Sequence, residues 1–183
     1  MRMRDVLLCL TTSLDGFIAD RDGGVAWVMP PPKDVPADYV DLMATVDTLI
    51  MGRATYETSL ALEGGLAALE GKRVYVFTSR GDLPQTPGVS FVHERPEAFV
   101  ERLKREDGGT IWLFGGGRLA TALSDAGLID EYLIAVQPIL LGDGIPLWRS
   151  PHASTRLQRA SAQVWADGLV ELRYRRAPGA PAR

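Results

Sequence analysis

The run Ile111-Trp-Leu-Phe-Gly-Gly-Gly-Arg118-Leu-Ala-Thr-Ala-Leu123 decides the fold class. Its first four residues are apolar and read as a buried parallel strand. Three glycines follow, and a helical apolar pattern starts at once. Without a Cβ, glycines at such a junction let the backbone pass close to a ligand. The helix beyond them offers unpaired N–H groups and the positive end of its dipole, which together attract phosphate. Arg118 adds a cation at the same place. A tight strand-to-helix turn with no ligand would give the same string, so the other loops must be weighed with it.

The same grammar recurs along the chain. Residues 6–10 form a near-continuous apolar run, as expected of a central strand covered on both faces. Residues 48–51 read as a second buried strand ending at Gly52-Arg53, with a helix starting near Ala54. Arg73–Phe77 is a third strand, closed by Thr78-Ser79-Arg80-Gly81, and Val89–Val92 a fourth. Pro96 opens a helix to about Arg105, and a longer strand covers residues 130–137 until Pro138. Pro36 suits the first turn of another helix, with Tyr39, Leu42, Met43 and Val46 at helical spacing. Pro30-Pro-Pro32 reads instead as an extended surface connection. Near the end, Val164-Trp-Ala166, Asp167-Gly168 and Leu169-Val-Glu-Leu172 spell a hairpin with a type I′ turn. Strands alternating with helices predict an α/β protein: a mostly parallel central sheet, helices on both faces and a C-terminal antiparallel hairpin. One domain is expected over residues 1–176, followed by a disordered Pro/Gly/Ala tail at 177–183.

Composition narrows the function. The chain has 183 residues, 46% of them hydrophobic and 23% charged, and a formal net charge of −3. This is ordinary for a globular enzyme, and no basic face for nucleic acid is expected. Cys9, the only cysteine, lies inside an apolar run and is expected to pack in the core, with no disulfide within the chain. The first apolar stretch is too short for a membrane span or a signal peptide. A cytoplasmic, reducing location is the expectation.

In an open α/β sheet, ligands bind beyond the carboxyl ends of the strands. Four loops lie there: Ser13-Leu-Asp-Gly16, Gly52-Arg-Ala-Thr55, Thr78-Ser-Arg80 and Gly115-Gly-Gly-Arg118. Three of them set an arginine beside Ser, Thr or Gly. That supplies backbone N–H groups, hydroxyls and guanidinium forks, the chemistry that holds several phosphates. His93 and His152 have no clustered carboxylate or cysteine, so no metal site is expected. No Gly-x-Ser-x-Gly elbow occurs. Proton transfer could fall to Asp15, which also suits an Asp-Gly turn, or to Asp38, which also suits a helix N-terminus.

Together these residues resemble the dihydrofolate reductase-like superfamily, and in particular the C-terminal reductase domain of the bacterial bifunctional riboflavin deaminase-reductases. The match is carried by Ser13-Leu-Asp-Gly-Phe-Ile-Ala19, Met51-Gly-Arg-Ala-Thr-Tyr-Glu57, Val76-Phe-Thr-Ser79 and Phe114-Gly-Gly-Gly-Arg-Leu119. Gly127-Leu-Ile-Asp-Glu-Tyr132 and Pro138-Ile-Leu-Leu-Gly-Asp-Gly144 resemble the riboflavin branch. The resemblance implies a three-layer dihydrofolate reductase-like fold and an NADPH-dependent reductase acting on a pterin- or pyrimidine-like small molecule. It further implies that Gly52, Arg53 and Thr55 bind the phosphate side of NADPH. Thr78, Ser79 and Arg80 would lie near its 2′-phosphate. Gly115, Gly116, Gly117, Arg118 and Leu119 would form the pyrophosphate turn. Pro36-Ala-Asp38 resembles the segment that carries the folate-protonating acid, although Asp38 stands nearer to Gly52 than in that family. A homodimer is implied as well, in keeping with an apolar strand at 130–137 and a hairpin near the sheet edge.

Two departures keep the substrate open. The riboflavin reductases carry an Asp-Asp-Pro substrate motif where Tyr56-Glu-Thr-Ser59 stands here. One cysteine cannot supply the Cys pair of the zinc deaminase half. The formal dinucleotide fingerprint Gly115-x-Gly117-x-x-Ala120 lies too late in the chain, with Asp130-Glu131 preceding the next strand instead of ending it. Gly65 to Lys72 is one residue too long for a P-loop. A non-catalytic NADP(H)-binding sensor is the competing reading, and a proton donor at the nicotinamide end separates the two.

Overall fold

The computed structural model describes residues 3–30, 37–62, 65, 71–83, 86–150 and 153–177, with Asp38 described in its backbone alone. The expected tail at 178–183, Pro31, Pro32, Pro36, His152 and most of the 65–72 loop lie outside the described residues.

Among the described residues, ten strands and four helices follow in the order β1 (Val6–Ser13), β2 (Phe17–Ala19), α1 (Ala37–Ala44), β3 (Val46–Gly52), α2 (Arg53–Ala61), β4 (Arg73–Phe77), β5 (Val89–Val92), α3 (Pro96–Lys104), β6 (Thr110–Gly115), α4 (Gly117–Asp125), β7 (Glu131–Gln137), β8 (Ile145–Pro146), β9 (Leu157–Val164) and β10 (Val170–Arg176). Eight of them form a sheet in the order β5-β4-β3-β6-β1-β7-β10-β9, while β2 pairs with β8. The first six strands of that order are parallel, β10 is antiparallel to β7, and β9 is antiparallel to β10. The expected α/β class, with helices on both faces and a C-terminal hairpin, is what the chain forms.

The two faces of the sheet bury different sets of side chains, as strand alternation requires. Val6, Leu8, Ile50, Ile111 and Leu113 point to one face and pack under α3 and α4 through Val100, Leu103, Leu119 and Leu123. Leu49, Met51, Val74 and Val76 point to the other, under Tyr56 of α2, with Met43, Trp112 and Phe114 packed beside them. Each fully buried Leu or Ile contributes about 1.5–3 kcal/mol. Pro96 opens α3, where a missing N–H costs nothing. At the amino ends of the strands, buried Arg4 pairs with Asp47 and donates to the Gly109 carbonyl and to Thr48 Oγ1, both at 2.7 Å. Buried Lys104 pairs with Asp130, which also accepts the Val6 N–H at 2.7 Å.

Four local expectations change. Val46 starts β3 instead of extending α1, which ends at Ala44. The hairpin is longer than its apolar core, because β9 is exposed along all eight residues and carries no hydrophobic alternation to read. Its turn is not type I′. Gly168 N–H bonds the Trp165 carbonyl at 3.1 Å, and Ala166 and Asp167 keep negative φ while Gly168 alone sits at +92°. That is a type I turn closed by a left-handed glycine. β7 is also not an edge: it lies between β1 and β10, and β9 takes the outside position.

Candidate active site

The carboxyl ends of β3 and β6, neighbours in the sheet, each run directly into a helix. Gly52 caps α2 and Gly116 caps α4, and neither helix start has a side-chain cap. In α4 the first helical bond is Ala120 N–H to the Gly116 carbonyl at 3.0 Å, so the N–H groups of Gly117, Arg118 and Leu119 precede it. Two positive helix ends therefore lie side by side. A Cβ on Gly52 would come within 4.0 Å of the Gly116 nitrogen, and one on Gly116 within 3.2 Å of Thr55 Oγ1. The Gly115–Gly116 peptide is cis, and Gly115 has φ +133°. Gly117 is required for a reason the sequence did not show. Its Cβ would lie 2.4 Å from the Pro146 carbonyl and 2.8 Å from that of Leu147, so the close approach is to the chain at β8 and not only to a ligand.

These loops open on a cavity of about 890 Å³. Its described lining holds four charged residues: Arg53, Arg118, Arg149 and Glu171. Gly52, Thr55, Thr78, Ser79, Gly115, Gly116, Gly117 and Leu119 of the sequence expectation also line it. Arg53 does not wait empty, because its Nη1 donates to both Glu57 carboxylate oxygens at 2.7 Å. Arg149 escaped the sequence reading because, although Ser150 follows it, it does not lie in a loop that directly follows a parallel strand. Its backbone N–H bonds Thr121 of α4 at 2.9 Å, and its Nε is buried with no hydrogen-bond partner among the described residues. Two uncapped helix ends, three guanidinium groups and the hydroxyls of Thr55 and Ser79 fit a ligand with several phosphates.

Two expected residues, Arg80 and Asp15, stand elsewhere, and a third, Thr78, has its hydroxyl engaged. Arg80 lies outside the cavity lining and pairs with Asp82 through Nε at 3.1 Å and Nη2 at 3.0 Å. The Thr78 hydroxyl is occupied in shaping that loop, accepting the Arg80 N–H at 3.0 Å. Asp15 also lies off the cavity. It accepts from the Ser13 hydroxyl at 2.6 Å and from the N–H groups of Leu141 and Gly142 at 3.2 and 2.8 Å. The Ser13 bond, joined by the two backbone bonds, holds its carboxyl below the usual carboxylate range. A carboxylate so placed fastens the 139–142 loop to the β1–β2 turn and is ionised at neutral pH, which is the wrong state for a general acid. The side chain of Asp38 lies outside the described residues, although its neighbour Tyr39 does line the cavity.

The other end of the cavity is made of side chains. Its floor is the face of β6, β1, β7 and β10 carrying Trp112, Cys9, Ala135 and Glu171. Trp112 and Phe114 meet edge to face, with ring centroids 4.9 Å apart. Burial pushes the Cys9 thiol up to about 12, and burial likewise lifts Tyr39 to about 12, with the Tyr39 hydroxyl bonded to the Cys9 sulfur. Cys9 is thus an inert thiol facing the cavity, not a reactive one. Gln137, only 3% exposed, has Oε1 without a partner among the described residues, and so has Trp165 Nε1. Tyr39, Gln137, Trp165 and Glu171 were missed because no spacing joins them in the sequence. The alternation of β7 and β10 around an acidic Glu171 in Leu-Val-Glu-Leu was the available signal.

Comparison with known proteins follows the same lines. The family model of the RibD C-terminal domain matches residues 4–170. The chain is 37% identical over 174 residues to the uncharacterized protein YwjB of Bacillus subtilis (strain 168), covering 95% of this chain and 99% of that one. It is 27% identical over 184 residues to YyaP of the same organism, covering 95% and 96%. Among solved structures, a Shewanella sp. PV-4 protein whose name places it provisionally in riboflavin biosynthesis superposes with TM-score 0.76 at 28% identity, covering 94% of this chain and 99% of that one. Dihydrofolate reductase from Enterococcus faecalis, complexed with NADP(H), superposes with TM-score 0.63 at 19% identity, covering 94% and 96%, and shares the fold. The chain belongs to the RibD C-terminal domain family.

Proposed function

We propose that this chain is an NADPH-dependent reductase, one domain over residues 1–176, that transfers a hydride to a C=N or C=O of a pterin- or pyrimidine-like small molecule. The observation that carries this reading is the pair of uncapped helix N-termini, at α2 and α4, opening on the same cavity as an aromatic-lined pocket. When bound, the cofactor supplies the hydride. The chain's own residues do the rest. Gly116 to Leu119 and Gly52 to Thr55 present backbone N–H groups to the phosphates, with Arg118 and Arg149 adding charge. Arg53 and Ser79 meet the 2′-phosphate. Trp112 and Phe114 exclude water from the flat part of the cavity. The sensor reading would need a cavity without a proton donor; burial makes Tyr39 a poor acid, so the hydroxyl it turns to the cavity supports substrate binding and leaves the proton to water or to the substrate.

The 2′-phosphate must compete for its cations. Arg53 and Arg80 each arrive with a carboxylate, Glu57 and Asp82, and the two pairs lie within electrostatic range of one another. NADPH is therefore expected to displace Glu57 from Arg53. Titration of NADPH and NADH, followed by NADPH oxidation against pterins, pyrimidines and small carbonyls, tests the proposal. Equal affinity for both cofactors, or no binding of either, would overturn it.

A homodimer belongs to the same proposal. The outer strand β9 is exposed along its whole length, with Val164 70% and Leu157 38% exposed, and such an edge invites pairing with a second copy. Light scattering that reports a monomer at micromolar concentration would remove this part. No helix among the described residues is long and apolar enough to cross a membrane. With an acidic net charge and a protonated single thiol, a cytoplasmic protein working without nucleic acid is the reading we adopt.

A further inference from the structure

The sheet ends in two unlike edges. β5 is four residues long, whereas β9 runs for eight, Leu157-Gln-Arg-Ala-Ser-Ala-Gln-Val164, and every one of them is exposed. Proteins blunt a free edge with lysines, prolines or brevity. β9 has no lysine, no proline and one charge, Arg159. Its other residues are small or uncharged, with apolar Leu157 and Val164 at the two ends.

Read from either end, β9 begins with an apolar residue and then a glutamine, and Ala160-Ser161 is its centre. An interface about a two-fold axis must be complementary to itself, and this strand is. Its register with β10 makes the fit geometric. Val164, Ala162, Arg159 and Leu157 pair with Val170, Leu172, Tyr174 and Arg176 and share one face. Gln163, Ser161 and Gln158 pair with Glu171, Arg173 and Arg175 and share the other. Ala160 is left over, because the register shifts by one residue between Arg173 and Tyr174. In a regular strand of eight, full overlap of two antiparallel copies would set residues from opposite faces against each other. The extra residue at the middle of β9 removes that conflict. Leu157 and Val164 now share a face, as do Gln158 and Gln163, and Arg159 and Ala162. A bulge commonly blunts an edge, but at the midpoint it lets this edge match itself.

We infer that two copies of this chain join through β9 about a two-fold axis at its midpoint, with Leu157 opposite Val164, Gln158 opposite Gln163, Arg159 opposite Ala162 and Ala160 opposite Ser161. The two sheets become one. The apolar ends cover each other and the glutamine amides face in pairs. Each Arg159 meets an alanine methyl, the second arginine being about 7–8 Å away on the diagonal. Val164 leads into Trp165, whose N–H bonds the Leu169 carbonyl at 2.9 Å, and both Trp165 and Leu169 line the cavity. Each copy therefore braces, through Leu157, the turn that shapes the other's cavity wall. The inference rests on the homodimer of the proposed function and adds its axis and its register.

Sedimentation equilibrium and disulfide trapping test it on the full chain. Wild type should be a dimer at micromolar concentration. Ala162→Lys sets a second cation opposite each Arg159 and should raise the dimer dissociation constant at least about tenfold. Adding Arg159→Glu should restore it, with unchanged circular dichroism reporting an intact fold. Gln158→Cys/Gln163→Cys should give a covalent dimer on oxidation. Within one copy these two positions lie about 15 Å apart along the strand and cannot bridge. Wild type, with Cys9 as its single thiol, should give no covalent dimer. Three results would overturn the register and leave the homodimer standing: a dimer indifferent to Ala162→Lys, no rescue by Arg159→Glu, or trapping through Gln158→Cys/Ser161→Cys in place of Gln158→Cys/Gln163→Cys. A wild-type monomer overturns both. Should Ala162→Lys fail to fold, the cysteine pairs decide alone.

Discussion

The two ends of the cavity are built from different materials. The end proposed for the phosphates is backbone: helix N–H groups, glycines placed where a Cβ would strike another chain segment, and arginines close to them in sequence. The far end is side chain: Cys9, Tyr39, Gln137, Trp165 and Glu171 come from five elements or turns and have no common spacing. A site made of backbone tolerates few sequences and therefore leaves a motif. A site made of side chains on rigid strands can change one residue at a time, so it sets the substrate without leaving one.

The comparison can be broken by damaging one end at a time. The largest effect is expected from Gly117→Ala. Its Cβ meets two carbonyl oxygens of the β8 segment at 2.4 and 2.8 Å, and backbone cannot rotate away. We expect a stability loss of about 1–3 kcal/mol and the loss of measurable NADPH binding in whatever fraction folds. Retained NADPH affinity would show that the glycine end is not the cofactor end.

Next in size is the exchange at Arg53. Arg53→Ala should reduce the preference for NADPH over NADH by about tenfold, the scale of one charge-assisted bond. Glu57→Gln, which releases Arg53 from its pair, should raise that preference. Unchanged preference in both variants would place the 2′-phosphate elsewhere.

Alkali should loosen the side-chain end selectively. Cys9 and Tyr39 are both raised, from ordinary values of 9.0 and 10.0, so the folded state holds protons that the unfolded chain releases first. The stability they contribute is complete below pH about 9 and is lost as pH rises toward about 12, by up to about 1.4 kcal/mol per pH unit for each group. Denaturant midpoints measured across that range should fall, and Tyr39→Phe should flatten the fall. A flat profile in the wild type would contradict the burial of this pair.

Asp15→Asn and Arg80→Ala are expected to do least at the site. Asp15→Asn should lower the melting temperature, because it weakens the tie to Leu141 and Gly142, while leaving NADPH affinity within about twofold of wild type. Arg80→Ala should leave that affinity within the same margin. A large loss of turnover in Asp15→Asn at unchanged stability would restore it as the acid.

Much of the fold was legible because the parallel strands are continuous apolar runs and their loops are punctuated by Gly, Pro and Arg. The glycine- and arginine-bearing loops at which we propose the phosphates bind were legible for the same reason. What could not be read was pairing. Arg80 and Asp82 are two residues apart, and Arg53 and Glu57 four, yet only geometry shows that each arginine is already engaged. β9 was missed because an exposed edge strand has no buried face to print a period in the sequence. Asp15 had the residue type of an acid but the hydrogen bonds of a fastener.

The position of β1 has a consequence for how the molecule is made. It lies between β6 and β7, and the contacts at its amino end join residues 105 and 124 positions apart, Arg4 to Gly109 and Val6 to Asp130. This early strand is thus satisfied only after residues more than a hundred positions further along have been synthesised. Until then Val6, Leu7 and Leu8, each at most 1% exposed in the finished protein, have no native partners. Such non-local closure is slow and leaves an apolar strand uncovered in the meantime. The growing domain carries an apolar strand well ahead of its partners, and the centre of the sheet closes only when β6 and β7 have followed it.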